Sequence, residues 1–191
     1  MRKTLFIFIT CVLLFFVDSP PAVAQDFRGA RWGMTMEEVK QDENLDLIQE
    51  DEKNLVYVTA IGGIDCLLIY NFVDDRLYNA MYWMIDEHAI DNGHIDDYRK
   101  LKNMLMQKYG TPNIDDEIWG RSLYKDEPDR KGFAISIGDL TMLAEWETEN
   151  TEVSIMLWGD NYEIKHAISY ESKEYGAKAE DQKTQSELEK L

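Results

Sequence analysis

Cysteine is almost absent: Cys11 and Cys66 are the two among 191 residues. Cys11 sits in the leading apolar stretch, so a chain that loses that stretch keeps Cys66 alone and forms no internal disulfide. Placed in mid-strand, Cys66 reads as a small buried apolar residue rather than a nucleophile. Histidine is nearly as scarce, with only His88, His94 and His166, and few groups are therefore left to move protons near neutral pH. There is no G-x-S-x-G elbow, no phosphate-cradling glycine loop and no C-x-x-C pair, which removes the usual signatures of hydrolases, nucleotide enzymes and thiol oxidoreductases. Paired-carboxylate chemistry stays open, because so many acids are present that no pair stands out. Positive charge is also short: 20 Lys and Arg stand against 37 Asp and Glu, a net charge of −17. Such a surface repels nucleic acid and anionic membrane, and it suits cationic partners, divalent ions or simple solubility.

What is present begins with an address. Arg2 and Lys3 precede an apolar run from Thr4 to Val17, and Pro20-Pro21 lead into Ala22-Val23-Ala24, the pattern of a secretory leader with its cleavage site. Residues 1–24 are therefore expected to be removed, leaving a periplasmic or secreted protein that begins at Gln25. The apolar run is short for a membrane span, and no later run approaches the roughly 20 apolar residues a spanning helix needs. Without Arg2, Lys3 and Asp18, 18 basic and 36 acidic residues remain.

The body of the chain is organised around three strand-like runs, Leu55–Ile61, Ile64–Val73 and Arg76–Asp86. Gly62-Gly63 and Asp74-Asp75 supply the turns of an antiparallel meander. Ile64, Cys66, Leu68, Tyr70 and Phe72 share one face of the middle strand, with Leu67, Ile69 and Val73 on the other. On the third strand Leu77, Met81, Trp83 and Ile85 alternate with Tyr78, Ala80, Tyr82 and Met84. Neither face is plainly polar, so cover is expected on both. Helices account for one face; a loop, a second protomer or a ligand is needed for the other.

Thr35 with Glu38 forms a capping box that opens a short helix toward Glu43. Ile95, Tyr98, Leu101, Leu105 and Tyr109 recur at helical spacing and predict a second helix lying across the sheet, stopped by Gly110 and Pro112. Residues 113–132 read as a long polar connection. Phe133–Ile137, Leu140–Trp146, Thr151–Trp158 and Tyr162–Tyr170 read as strands. The order suggests an α+β fold of antiparallel meanders with helices on one face, an imperfect duplication of an α-β-β-β unit. Residues 25–170 form a single domain, and 171–191 form a charged tail, flexible or marginally helical.

The segment Gly33-Met34-Thr35-x-x-Glu38-Val39 resembles the helix start of SmpA/OmlA (BamE)-type envelope proteins and of β-lactamase-inhibitor-like domains. Leu105-x-x-Lys108-Tyr109-Gly110-Thr111-Pro112, with Trp119 downstream, resembles the Gly-x-Pro turn of such domains. The likeness implies helices on an antiparallel sheet and a role in binding other proteins. The lipid-anchoring cysteine of the SmpA/OmlA lipoproteins has no counterpart, and a role in outer-membrane assembly is not implied. A looser likeness extends to exported bacterial α+β proteins that open with Phe-Arg-Gly and Trp-Gly-Met segments.

These features lead to an exported, non-enzymatic binding module of the bacterial envelope, interaction or inhibitor-like in kind. It needs no cofactor, and its partner is another envelope or extracellular protein, with a homodimer open. Tyr78 and Tyr82 on the meander, and Trp119, Tyr124 and Arg121 in the long connection, are the candidate contact residues, although each aromatic ring also suits plain core packing. The alternative is a divalent-metal protein, hydrolytic in one version, built from Asp86, His88, Asp91, His94 and Asp96. Their side-chain types suit a metal, but their spacing matches neither the calcium loop nor the H-E-x-x-H helix. Asn92-Gly93 equally reads as a turn with acids at a helix start.

Overall fold

A computed structural model describes residues 26–121 and 123–190; the leader assigned to residues 1–24, with Cys11, lies outside them. The order of elements is α1 (Met36–Asp42), β1 (Leu47–Glu50), β2 (Asn54–Ile61), β3 (Ile64–Val73), β4 (Arg76–Met84), α2 (Asn92–Tyr109), β5 (Ile114–Trp119), α3 (Lys131–Ser136), β6 (Leu140–Glu147), β7 (Thr151–Asp160), β8 (Glu163–Ser172) and α4 (Lys173–Leu188). The strands form one antiparallel sheet in the order β1-β2-β3-β4-β8-β7-β6-β5. A helix followed by a four-stranded meander therefore occurs twice, and the two meanders join where β4 pairs with β8, from Asn79 opposite Glu171 to Trp83 opposite Ala167.

The turns follow from backbone chemistry. Gly62 and Gly63 have φ of 61° and 76°, and Asp74 and Asp75 take 49° and 56°, the left-handed pair that a two-residue hairpin requires. The capping box forms as its residues predict: Thr35 Oγ1 accepts from the Glu38 amide at 3.3 Å while Glu38 Oε2 accepts from the Thr35 amide at 2.8 Å. Gly110 ends α2 at a φ of 83°.

α1, α2 and α3 cover one face. Beneath them lie Leu55, Tyr57, Cys66, Leu68 and Tyr70 from the first meander, with Met142, Ala144, Ile155, Leu157 and Ile168 from the second, all buried. Ile95, Tyr98, Leu101 and Leu105 are the buried stripe of α2. The segment before α1 inserts Phe27 at the seam of the meanders, in contact with Tyr70, Tyr82 and Tyr170 at centroid distances of 5.8, 5.4 and 4.7 Å. Gly33 and Met34 then pair with Leu77 beside the end of β4, and Gly33, at a φ of 81°, leaves no room for a side chain against the Tyr175 ring. Cys66 is wholly buried, and burial pushes its thiol up to about 11.

The run 133–137 and the two edge strands depart from the sequence expectation, and the tail, expected to be flexible or marginally helical, contains a helix. The run 133–137 is not a strand: Lys131–Ser136 is a helix with Ala134 and Ile135 fully buried. Phe133, Ile135 and Ile137 alternate with the small Ala134 and Ser136, which imitates a strand, but the segment instead winds into a short helix that fills the corner between α2 and β7. β1 and β5 were not expected, since both are edge strands whose side chains lie in solvent almost throughout. The tail carries a 16-residue helix, capped by Ser172, that crosses the ends of β8, β4 and β3.

Two measurements test this packing. Phe27→Ala removes the ring that joins three strands, and urea unfolding is expected to show a loss of about 3–5 kcal/mol, the range for deletion of a buried aromatic side chain. His166 is buried under α2 beside Tyr98, and burial, reinforced by the neighbouring His94 and His88, pushes its pKa from 6.5 down to about 3. The unfolded chain therefore takes up a proton near pH 6.5 that the folded chain refuses until about pH 3. Stability is expected to fall by about 1.4 kcal/mol per pH unit across that window as the solution is acidified. His166→Gln should flatten that part of a denaturation-versus-pH series.

Candidate functional site

The second face of the sheet is built by the alternation that fills the core. With Tyr70, Leu68 and Cys66 pointing toward the helices, Ile69 and Leu67 point away. Pairing carries the same side across the strands, so that Val58, Leu67, Trp83, Ala167, Met156 and Leu143 follow one another from β2 to β6. Val56, Ile69 and Met81 form the adjoining row. Ala167 is small enough for rings from either side to close over it, and Trp83 meets Trp158 edge to face, with centroids 5.6 Å apart and planes at 85°. Leu67, Met81, Trp83, Met156 and Trp158 are half-buried by one another, and Val58 is 46% exposed. Among the described residues, α1, α2 and α3 lie on the opposite face and α4 crosses only the end near Glu171 and Tyr78. A contiguous apolar and aromatic strip is thus left facing solvent.

Toward α4 the face turns polar. Asn71 donates to Asn79 Oδ1 at 2.8 Å, and Asn79 donates to Ser169 Oγ at 2.8 Å, a ladder across β3, β4 and β8 that satisfies the buried Asn79 amide. Continuing the Asn71–Asn79 row, Glu171, Glu152 and Glu147 lie directly opposite one another on β8, β7 and β6. Burial, and then the Glu152 charge, raise the pKa of Glu171.

The sequence candidates are distributed differently from expectation. Tyr82 is a correction: it is buried on the helix side, 6% exposed, with its hydroxyl 3.4 Å from Arg28 Nη1. The cause is a bulge. Asn71 pairs with Asn79 while Phe72 pairs with Leu77, so Tyr78 is an extra residue and the phase of β4 shifts. Leu77, Ala80 and Tyr82 then face the core, while Met81 and Trp83 face out. Tyr78 is half-buried in the cleft beneath α4. Trp119 packs partly buried on the core, with an indole N–H that finds no partner among the described residues. Tyr124 stands edge-on to Phe133 at 5.5 Å, with Arg130 over its ring. Arg121 is exposed, and its amide donates to Asp139 Oδ1 at 2.6 Å. Trp119 closes β5, Arg121 and Tyr124 follow it in the connection to α3, and the three do not join Tyr78 and Tyr82 in one surface.

The acidic and histidine segment is committed to structure. Asp86 accepts from the Asp65 amide at 2.9 Å, His88 Nε2 bonds Asp97 Oδ2 at 2.6 Å, and Asp96 pairs with Arg99 at 3.4 Å. Asp91 precedes α2, and His94 stacks edge-on against His88 at 4.5 Å. Among the described residues, no three His, Cys, Asp or Glu side chains converge as metal ligands would.

The residues that sequence reasoning passed over are Met81, Trp83, Met156 and Trp158. Their signal was present in the alternation of β4 and β7, but the face was assigned without the bulge. Trp83→Ser is expected to cost less than about 1 kcal/mol in urea unfolding, and Tyr82→Ala about 3–5 kcal/mol, because only the second opens a cavity in packed core. No family model matches the chain, and comparison with curated proteins and with solved structures likewise gives no match.

Proposed function

We propose that this protein is an exported binding module of the bacterial envelope or extracellular space, interaction or inhibitor-like in kind, which captures another protein on the uncovered sheet face. The observation that carries this reading is the Trp83–Trp158 pair, set in a strip of Leu67, Met81, Met156 and Leu143. Tryptophan and methionine are enriched where proteins meet, because large polarizable side chains supply contact area and adapt to a partner's shape. A sheet face of this kind offers a rigid platform, so little backbone ordering opposes association. The leader pattern in residues 1–24 supports export, and the likeness of the Gly33–Val39 segment to inhibitor-like and BamE-type domains supports action by binding.

The test uses the exported chain as bait in an envelope extract of the source organism, beside a Trp83→Ser/Trp158→Ser double variant. The expected result is a saturable protein partner held by the first bait and reduced at least about tenfold on the second, as truncation of central aromatic contacts does. Equal capture by both baits would move the binding surface elsewhere.

A further inference from the structure

The open face gathers its glutamates in one corner, with Asp116 opposite Leu143 and Lys165 opposite Trp158 as charges elsewhere on the same side. From Met156, β7 presents Ser154 and then Glu152 on the same side, each step spanning about 7 Å. Glu152 faces Glu147 on one neighbouring strand and Glu171 on the other, while Glu145 lies opposite Ser154. Together these residues line a groove of about 290 Å³ floored by Ser154 and Ser169. Like charges placed directly opposite on adjacent strands repel and destabilise a sheet. Glu147 is relieved by Lys173; among the described residues, Glu145, Glu152 and Glu171 have no ion-pair partner. Of the strand residues only Arg76 and Lys165 are cationic. Arg76 donates to the Gly33 carbonyl at 3.1 Å, and Lys165 lies at the far end, opposite Trp158.

Building on the docking role assigned to this face, we propose that its partner is a basic protein segment. An aromatic or aliphatic anchor sits against Trp83 and Trp158, and Arg or Lys side chains about 7–14 Å away enter the Glu145–Glu152–Glu171 groove. Such a partner removes the strip from water and neutralises the carboxylate row in the same event. Fixed charge of opposite sign also speeds encounter and rejects acidic competitors. A second copy of the chain fits less well, since it brings another net charge of −17 and no cluster of cations on this face.

Two synthetic peptides with a shared Leu-Trp-Leu centre, flanked by Arg in one and Glu in the other, test the charge requirement by fluorescence anisotropy. The Arg peptide is expected to bind the full exported chain at least about tenfold more tightly than the Glu peptide, and to weaken as salt shortens the screening length to about 3 Å near 1 M. Glu145→Gln/Glu152→Gln, which preserves side-chain shape, should erase the preference by weakening the Arg peptide without weakening the Glu peptide. Trp83→Ser should abolish binding of both. Equal affinity for the two peptides, lost in Trp83→Ser, would overturn the charge requirement while the docking face stood. Binding of neither peptide would overturn both. A dimer in sedimentation equilibrium that Trp158→Ser dissociates would make the occupant a second copy and overturn the basic-partner assignment.

Discussion

The antiparallel pairing of β4 with β8 is the constraint on which the rest of the molecule depends. Each meander alone is a four-stranded sheet with one greasy side and only part of a lid. Joined along five residue pairs from Asn79–Glu171 to Trp83–Ala167, they make a continuous sheet wide enough for α2 and α3 to lie across the second half while α1 closes the first. Hydrogen bonds alone give such a seam little net stability, because water satisfies the same groups in the unfolded chain. Phe27 supplies what they lack. Reaching in from outside both meanders, it touches a tyrosine on each of β3, β4 and β8, so the hydrophobic gain is collected only when the seam is closed. Beside it, Arg28 binds Glu43, and Glu43 accepts from the Tyr70 hydroxyl at 2.8 Å. This ties the end of α1 to the same cluster.

Much of this was legible in the residues. The limits of β3 were readable to the residue, because Gly62-Gly63 and Asp74-Asp75 bracket a run with strict alternation. The stripe of α2 was equally plain. What escaped notice has a common cause. β1 and β5 lie at the two edges, exposed along nearly their whole length, and carry residues such as Asp115, Asp116 and Glu117 that discourage further pairing. A strand with no buried side has no period of two to display. Phe133–Ile137 failed in the opposite way: its large apolar residues at 133, 135 and 137 display a period of two, yet so short an apolar run is equally compatible with a buried turn of helix. The contact surface was misplaced by one residue. A bulge at Tyr78 is invisible to a pattern that assumes unbroken alternation, and it exchanged the tyrosine side of β4 for the tryptophan side.

The two faces of the sheet differ in chemistry as well as cover. The helix side gathers Tyr57, Tyr70, Tyr82, Tyr98 and Tyr170, whose rings interlock and whose hydroxyls are held where ionisation is disfavoured; burial, and then the Glu43 carboxylate, raise the pKa of Tyr70. The outer side gathers indoles and thioethers along its middle, with Lys165 beside Trp158 and the glutamate row toward α4. A large apolar strip would ordinarily endanger solubility. The net charge of −17 opposes random encounters between copies at long range, where the strip itself has no influence. Acidic composition and an open face are therefore compatible parts of one design.

Cys66 lies near the start of β3 with no solvent exposure and a thiol held near 11. Oxidants act on the thiolate, which is scarce at that pKa, and they must also reach the sulfur. Even under oxidising conditions this sulfur is chemically silent, and the fold packed around it is uncoupled from the redox poise of its surroundings.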